Sequence, residues 1–294
     1  MRLLRKLLLI LTGLAIVIAL ALAFLNEPVP DHPFFRKPGV QVIVHRGSRY
    51  LWPENTLYAF QHALKLGTDI LELDVRSTKD SVLVILHDPT VNRTTNGTGP
   101  VQNFTLSELK RLDAGHHWTP DDGQTFPFRN KGLTIPTLEE VFTALPDARM
   151  NIEIKQKDPD IVDAFCHLIE KYNKIDQVLA ASFHVGAINA FRKRCPDVAT
   201  SSNAIEVITF YILNRLYLDA LYTPTASAIQ VPEKKGSLQV ITQSFIKTAH
   251  KHNMQVHVWT VNDPKDMQRL LDLGVDGLIT DYPDRLLSLL GRKK

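Results

Sequence analysis

Five short pieces of this 294-residue chain carry residue types suited to work together on a charged substrate. They are His45-Arg46-Gly47, Glu54-Asn55-Thr56, Glu72-Leu73-Asp74, His87-Asp88 and Glu153-Ile154-Lys155. Histidine ordinarily titrates near neutral pH, so His45 and His87 are a candidate acid–base pair. Glu72 and Asp74, two residues apart, project to the same side of an extended strand. Carboxylates held that close repel one another unless a cation or a proton intervenes. With Glu153 they form an oxygen-rich set of the kind that Mg2+ or Ca2+ prefers. For Glu72 alone an ion pair with Arg46 is the alternative; the trio together points to one divalent cation. Zinc fits less well, because the sequence has no Cys/His ligand cluster. Arg46 and Lys155 bring positive charge that can meet phosphate.

Most of these pieces lie at the ends of apolar runs that read as strands. Val42-Ile43-Val44 stops at His45, Val82–Leu86 stops at His87, and Met150–Ile154 carries Glu153 and Lys155 at its end. If Asp80-Ser81 forms a two-residue hairpin turn, His87 falls opposite Asp74, and Glu72, Asp74 and His87 share one face. A helix is expected from about Asn55 to Gly67, and capping boxes at Thr105/Glu108 and Thr137/Glu140 mark two further helix starts. Later strands are expected at Val178–Ser182, Val198–Thr200, Ala228–Val231, Val256–Val261 and Gly277–Thr280, with helical patterns between most of them. Continuously apolar strands alternating with helices indicate a parallel sheet covered by helices. Nine candidate strands, with 70–87 treated as one irregular hairpin unit, leave about eight positions. The reading is an α/β fold, a (β/α)8 TIM-type barrel, with an irregular glycine-bearing insertion at 92–135 after the third strand. In such barrels the active site forms at the C-terminal ends of the strands. An open doubly wound sheet is the alternative, disfavoured because no Gly-x-Gly-x-x-Gly follows the first strand.

Bulk composition is that of an ordinary globular chain, 44% hydrophobic with 22% charged residues. Arg2, Arg5 and Lys6 account for the formal charge of +3, and the rest of the chain is balanced, so nothing suggests a nucleic-acid partner. Leu7–Leu25 is a 19-residue run without a charge. As a helix it would be roughly 28 Å long, against about 30 Å of bilayer hydrocarbon. The preceding positive charges favour a cytoplasmic N-terminus and an extracytoplasmic remainder. Ala21-Leu22-Ala23 offers the competing reading of a cleaved signal peptide, although the apolar run is longer than usual for one. The expected layout is a cytoplasmic 1–6, a transmembrane anchor at 7–25, a Pro-rich tether at 26–40 and a catalytic barrel at 41–294. Cys166 and Cys195 could pair outside the cytoplasm, but Cys166 falls in an apolar helical pattern where core packing is the expected role.

His-Arg-Gly, Glu-Asn-Thr, Glu-Leu-Asp, His-Asp, Arg93-Thr94-Thr95-Asn96-Gly97 and Trp259-Thr260-Val261-Asn262 occur in that order. This ordered set resembles the glycerophosphodiester phosphodiesterase family of phospholipase-C-like barrels, from about Val42 to Leu290. The resemblance implies that Glu72, Asp74 and Glu153 ligate the cation and that His45 and His87 are the acid–base pair. It casts Arg46 and Lys155 as phosphate clamps, Glu54 and Asn55 as shapers of the site rim, and Trp259 as the lining of the alcohol side. Asp80-Ser81 departs from the family's frequent Asp-Gly, away from the chemistry. The implied reaction is cleavage of a glycerophosphodiester to an alcohol and glycerol phosphate, with water or a substrate hydroxyl attacking.

Residues 205–222 hold 13 apolar residues in 18, with Glu206, Thr209, Asn214, Arg215 and Asp219 as a narrow polar stripe. A helix packed on the barrel is one reading; a helix at the membrane surface, favouring lysophospholipid substrates, is the other. Asn92, Asn96 and Asn103 begin Asn-x-Thr matches that read first as turn residues. Rival functions are a catalytically silent lipid- or glycan-binding barrel, which the histidines and carboxylates oppose, and a glycosidase using Glu72 and Asp74, which leaves both histidines without a role.

Overall fold

The structure, a computed structural model, describes residues 5, 6, 9, 12, 13, 27–158 and 160–292. The proposed transmembrane run at 7–25 therefore lies almost wholly outside the described residues. Among those described, no helix is long and apolar enough to cross a membrane.

Among the described residues eight parallel strands form the barrel: β1 (Gln41–Val44), β2 (Ile70–Ser77), β4 (Arg149–Ile154), β5 (Val178–Ala181), β6 (Ala199–Thr200), β7 (Ala228–Val231), β10 (Gln255–Val258) and β11 (Gly277–Thr280). Their order is β6-β5-β4-β2-β1-β11-β10-β7, and a parallel bridge between Ser201 and Ala228 joins the two ends. β3 (Leu83–Ile85) runs antiparallel to β2, and β8 (Lys234–Lys235) with β9 (Leu238–Gln239) makes a small exposed hairpin. The helices are α1 (Leu57–Leu66), α2 (Leu106–Leu109), α3 (Leu138–Ala144), α4 (Val162–Lys171), α5 (Val185–Arg194), α6 (Ala204–Arg215), α7 (Gln243–Lys251), α8 (Pro264–Leu273) and α9 (Pro283–Leu289). Both expected capping boxes form, Thr105 with Glu108 and Thr137 with Glu140. Strands buried on both faces explain the apolar runs, since inward and outward side chains alike leave water.

The barrel interior is filled rather than open. Phe34 is fully buried against Ile43, Ile70, Leu179, Ala199, Ala228 and Ile279. Arg149 Nη1 donates to the Phe34 carbonyl at 2.8 Å. The segment leading into β1, expected to be an extended tether, is thus held to the barrel at Val29, His32 and Phe34, with most of its described residues exposed; burying Phe34 outweighs leaving it in water. Gly277 is required here: a Cβ on it would meet His257 Cδ2 at 2.9 Å and Ile43 Cδ1 at 3.0 Å.

Burial pushes the fully enclosed His257 down to about 3 from 6.5. The unfolded chain takes up this proton below pH 6.5 while the fold refuses it until near 3, so stability is full above 6.5 and falls as pH drops through that window. Between pH 7.5 and 5.0 the loss from this residue is about 2 kcal/mol. Urea unfolding of wild type and His257→Asn at both pH values tests this; equal losses in the two proteins would rule it out.

The expected hairpin register is corrected, and the pairing of the two cysteines, open from sequence, is seen. The β2–β3 ladder pairs Val75 with Ile85 and Ser77 with Leu83, one residue off the predicted register. Thr78 N donates to Val82 O, leaving a three-residue loop in which Ser81 takes φ 62°. Leu86, not His87, therefore lies across from Asp74, its N–H donating to the Asp74 carbonyl at 2.9 Å. Cys166 and Cys195 are joined as a disulfide between α4 and the end of α5, with Cα atoms 6.0 Å apart. Cys166 is also part of the core, as its helical pattern suggested.

Candidate active site

The metal-suited trio is assembled by two neighbouring strands. β2 and β4 pair Glu72 with Asn151 and Asp74 with Glu153, so alternation turns Glu72, Asp74 and Glu153 to the barrel interior. One oxygen from each of the three lies within 4.8 Å of the others. Burial, and then the charge of Asp74, pushes the Glu72 carboxyl well above its ordinary value. Burial likewise raises Glu153, against the opposing pull of Lys155. Asp74 goes the other way: burial opposes its ionisation, but Lys155 and Arg46 outweigh it. Two buried carboxylates and a half-buried third that cannot all ionise comfortably, in reach of one point, suit a bound divalent cation. The buried Asn55 Oδ1 has no hydrogen-bond donor, which fits the same conclusion.

Strained backbone brings the arginine in. At the end of β1, Arg46, Gly47 and Ser48 take φ of 52°, 76° and 74° in succession. Gly47 admits the close approach of α1, since a Cβ there would come within 2.9 Å of Ala59 Cβ and Phe60 Cδ1. This turn aims Arg46 N at Glu72 Oε2, 2.9 Å away. The Arg46 side chain reaches Glu54 at 3.1 Å, and its Nε lies 3.4 Å from Asp74 Oδ2. Asn55 Nδ2 donates to Asp74 Oδ2 at 2.9 Å. Lys155 Nζ stands 2.7 Å from Glu153 and 3.1 Å from Asp74. Arg46 and Lys155 thus each contact carboxylates of the trio.

The histidines stand in two His–Asp pairs. His45 Nδ1 bonds Asp281 Oδ1 at 2.8 Å, and His87 Nδ1 bonds Asp88 Oδ1 at 2.7 Å. Engaging Nδ1 leaves Nε2 of each ring as the nitrogen available to a substrate. Burial lowers the affinity of His45 for a proton, yet the Asp281 bond and the Glu72 charge raise it overall. Burial wins at His87, which is lowered despite Asp74 and Asp88. His87 comes to this place by leaving the strand, with the Arg76 guanidinium donating twice to its carbonyl, at 2.9 and 2.8 Å.

Several functional neighbours were not singled out by sequence reasoning. Asp281 orients His45, and is itself held by Asn262 Nδ2 at 2.9 Å and Arg49 Nε at 3.1 Å. The signal was available, because Asp281 follows β11 just as His45 follows β1. Arg93 clasps both oxygens of Glu54 at 2.7 Å and Asp88 Oδ2 at 2.7 Å, tying the rim to the second pair. Burial works against the Asp88 charge, but Arg93 and His87 bring it down to about 2. A cleft of about 370 Å³ adjoins the site, walled by Arg49, Tyr50, Glu54, Arg93, Trp118 and Tyr282. Trp259 is not among the residues lining that cleft; its ring meets Phe183 edge-on at 5.7 Å. Asn92 and Asn96 accept backbone bonds from Gly99 and Asp113, as turn residues do.

Residues 45–285 match the pattern of the family described as the glycerophosphoryl diester phosphodiesterase family. A glycerophosphodiester phosphodiesterase of Bacillus altitudinis is 36% identical over 256 residues, covering 85% of this chain and 97% of the relative. A human lysophospholipase D is 28% identical, covering 84% of this chain and 85% of that protein. Among solved structures, an Oleispira antarctica phosphodiesterase in complex with the product sn-glycerol-3-phosphate is similar with a TM-score of 0.69. It is 25% identical and covers 86% of this chain and 97% of its own.

Proposed function

The chain belongs to the glycerophosphoryl diester phosphodiesterase family, and from that membership we propose how its barrel cleaves a glycerophosphodiester into an alcohol and glycerol phosphate. It is a phosphoric diester hydrolase of a metal-dependent family. The observation that carries the mechanism is the carboxylate trio flanked by two oriented histidines at one barrel mouth.

Glu72, Asp74 and Glu153 hold one divalent cation, Mg2+ or Ca2+, which when bound supplies positive charge at the phosphate. Arg46 and Lys155 share in neutralising the diester as the fifth oxygen approaches phosphorus. The Nε2 of one histidine takes the proton of the attacking oxygen, from water or a substrate hydroxyl. The Nε2 of the other gives a proton to the departing alkoxide as its bond to phosphorus breaks. Proton exchange with solvent then resets the pair. Asp281 and Asp88 keep both rings in the required tautomer, and Arg93 and Glu54 brace that arrangement from the rim. Trp259, outside the cleft and just past the end of β10 against Phe183, is assigned to the alcohol side from the family resemblance alone.

Charge-free Leu7–Leu25, preceded by three positives, supports anchoring in a membrane with the barrel on the extracytoplasmic side. Glycerophosphocholine and lysophosphatidylcholine, assayed side by side with and without chelator, test the reading. Release of glycerol phosphate from glycerophosphocholine is expected, lost on chelation and restored by added Mg2+ or Ca2+. Activity that survives complete chelation would remove the cation from the mechanism, and no release from either substrate would remove the enzyme.

A further inference from the structure

Helix α6 buries Phe210 and also turns a row of large apolar side chains to water. Ile205, Ile208, Ile212 and Leu216 recur at helical spacing and are 60, 53, 48 and 60% exposed; Tyr217 and Leu218 extend the stripe. Two of its polar residues, Glu206 and Asn214, turn inward, while Thr209 and Arg215 stay exposed. Glu206 is held by Arg192 and Thr225, and the buried Asn214 donates to Ser244 Oγ and Thr248 Oγ1. Phe210 packs beneath, edge-on to Phe245 and Tyr222. Six of the twelve exposed large apolar side chains among the described residues lie between 205 and 218. So dense a patch marks a surface that something covers.

The path of the chain indicates what covers it. Val29 N donates to the His252 carbonyl at 3.0 Å, and Asn253 Nδ2 holds the Val29 carbonyl at 2.7 Å. His252 is also where the end of the stripe is anchored: its ring contacts the Asp219 carbonyl at 3.2 Å and packs against Tyr222. Only three residues lie between Leu25, the end of the charge-free run, and Val29, a span of at most about 14 Å. An anchored run therefore brings the bilayer surface to the corner of the barrel where the stripe ends. The hairpin joined to this corner through Arg215 Nη2 and the Gln239 carbonyl exposes Leu238 together with Lys234 and Lys235. Lysines beside apolar side chains suit the headgroup layer.

We propose that the barrel lies on a lipid bilayer along α6, with Ile205, Ile208, Ile212 and Leu216 entering the interface and the pinned segment at Val29 fixing that orientation. The inference rests on the anchor reading given above. It is tested on the full chain, disulfide intact, reconstituted into phosphatidylcholine–phosphatidylglycerol vesicles. Ile208→Cys, Leu216→Cys and, on α1, Gln61→Cys carry an environment-sensitive fluorophore, and nitroxide-bearing lipids serve as quencher. Labels at 208 and 216 are expected to shift to the blue and be quenched several-fold more than the label at 61. Quenching no greater than at 61 overturns the docking. A blue shift without lipid quenching overturns it too, because a second copy or the leader itself then covers the stripe. Vesicle flotation separates the two readings: a chain that fails to float refutes the anchor, whereas one that floats without differential quenching refutes only the docking. Hydrolysis of glycerophosphocholine by each labelled protein, equal to the parent's, shows that the fold is intact.

Discussion

Glu72→Gln is expected to abolish cation dependence while leaving the apoprotein more stable than wild type at alkaline pH. Burial and the Asp74 charge raise the Glu72 carboxyl, so its protonated form contributes stability that is present below the unfolded value of 4.5. That stability is lost as pH rises through the raised folded value. At pH 8 without a cation, wild type carries a buried, poorly compensated carboxylate, and a neutral glutamine of the same shape removes it. The gain is about 1–3 kcal/mol. Added Mg2+ or Ca2+ reverses the ranking, because binding to the folded state stabilises only the protein with its ligand set complete. Turnover of glycerophosphocholine falls roughly 10³-fold. Melting curves of both proteins, with chelator and with millimolar cation, check it. Equal cation-induced shifts in the two would show that Glu72 is not a ligand. Asp74→Asn is the informative companion. Arg46, Lys155 and Asn55 converge on this carboxylate, so its loss leaves Arg46 with Glu54 alone and Lys155 with Glu153 alone and should lower stability as well as activity.

Asp281→Asn is expected to lower kcat about 10²–10³-fold with KM little changed. Asp281 fixes which His45 nitrogen carries the proton, and an asparagine amide can donate to Nδ1, forcing the proton onto Nε2. The ring then stays in place in the wrong tautomer. His45→Gln removes the proton-transfer group itself, worth about 10²–10⁴-fold. If Asp281 acts through His45, the double variant is no slower than His45→Gln alone. Multiplicative losses in the double variant would instead give Asp281 an independent role, as the bonds from Asn262, Arg49 and Ser48 to the same residue permit.

Much of the site was legible because strand ends are readable. A buried strand must be apolar on both faces, so the point where an ionisable residue interrupts the run marks the barrel mouth. His45, Glu153 and Lys155 were found in this way, and the same rule applied to β11 would have found Asp281. Arg93 and Asp88 stood in quoted motifs, but motif order does not say which carboxylate an arginine clasps. The register of β2 and β3 was missed because sequence does not distinguish a two-residue turn from a three-residue loop with Ser81 in the left-handed region. One residue of slip exchanges the faces of a strand.

Residue type and period by themselves pointed to a parallel α/β barrel over an open sheet, to the acidic trio and to two candidate proton carriers. These follow from alternation, charge and the need to bury apolar runs, all of which are local properties. Only the tertiary structure decided that His87 reaches the mouth by leaving its strand and that Asp281 closes on His45 across 236 residues. It alone showed that Phe34 is buried in the barrel interior and that α6 turns its isoleucines outward. Each of these depends on which surfaces meet after the sheet closes, and long-range contact is set by packing that no window of sequence contains.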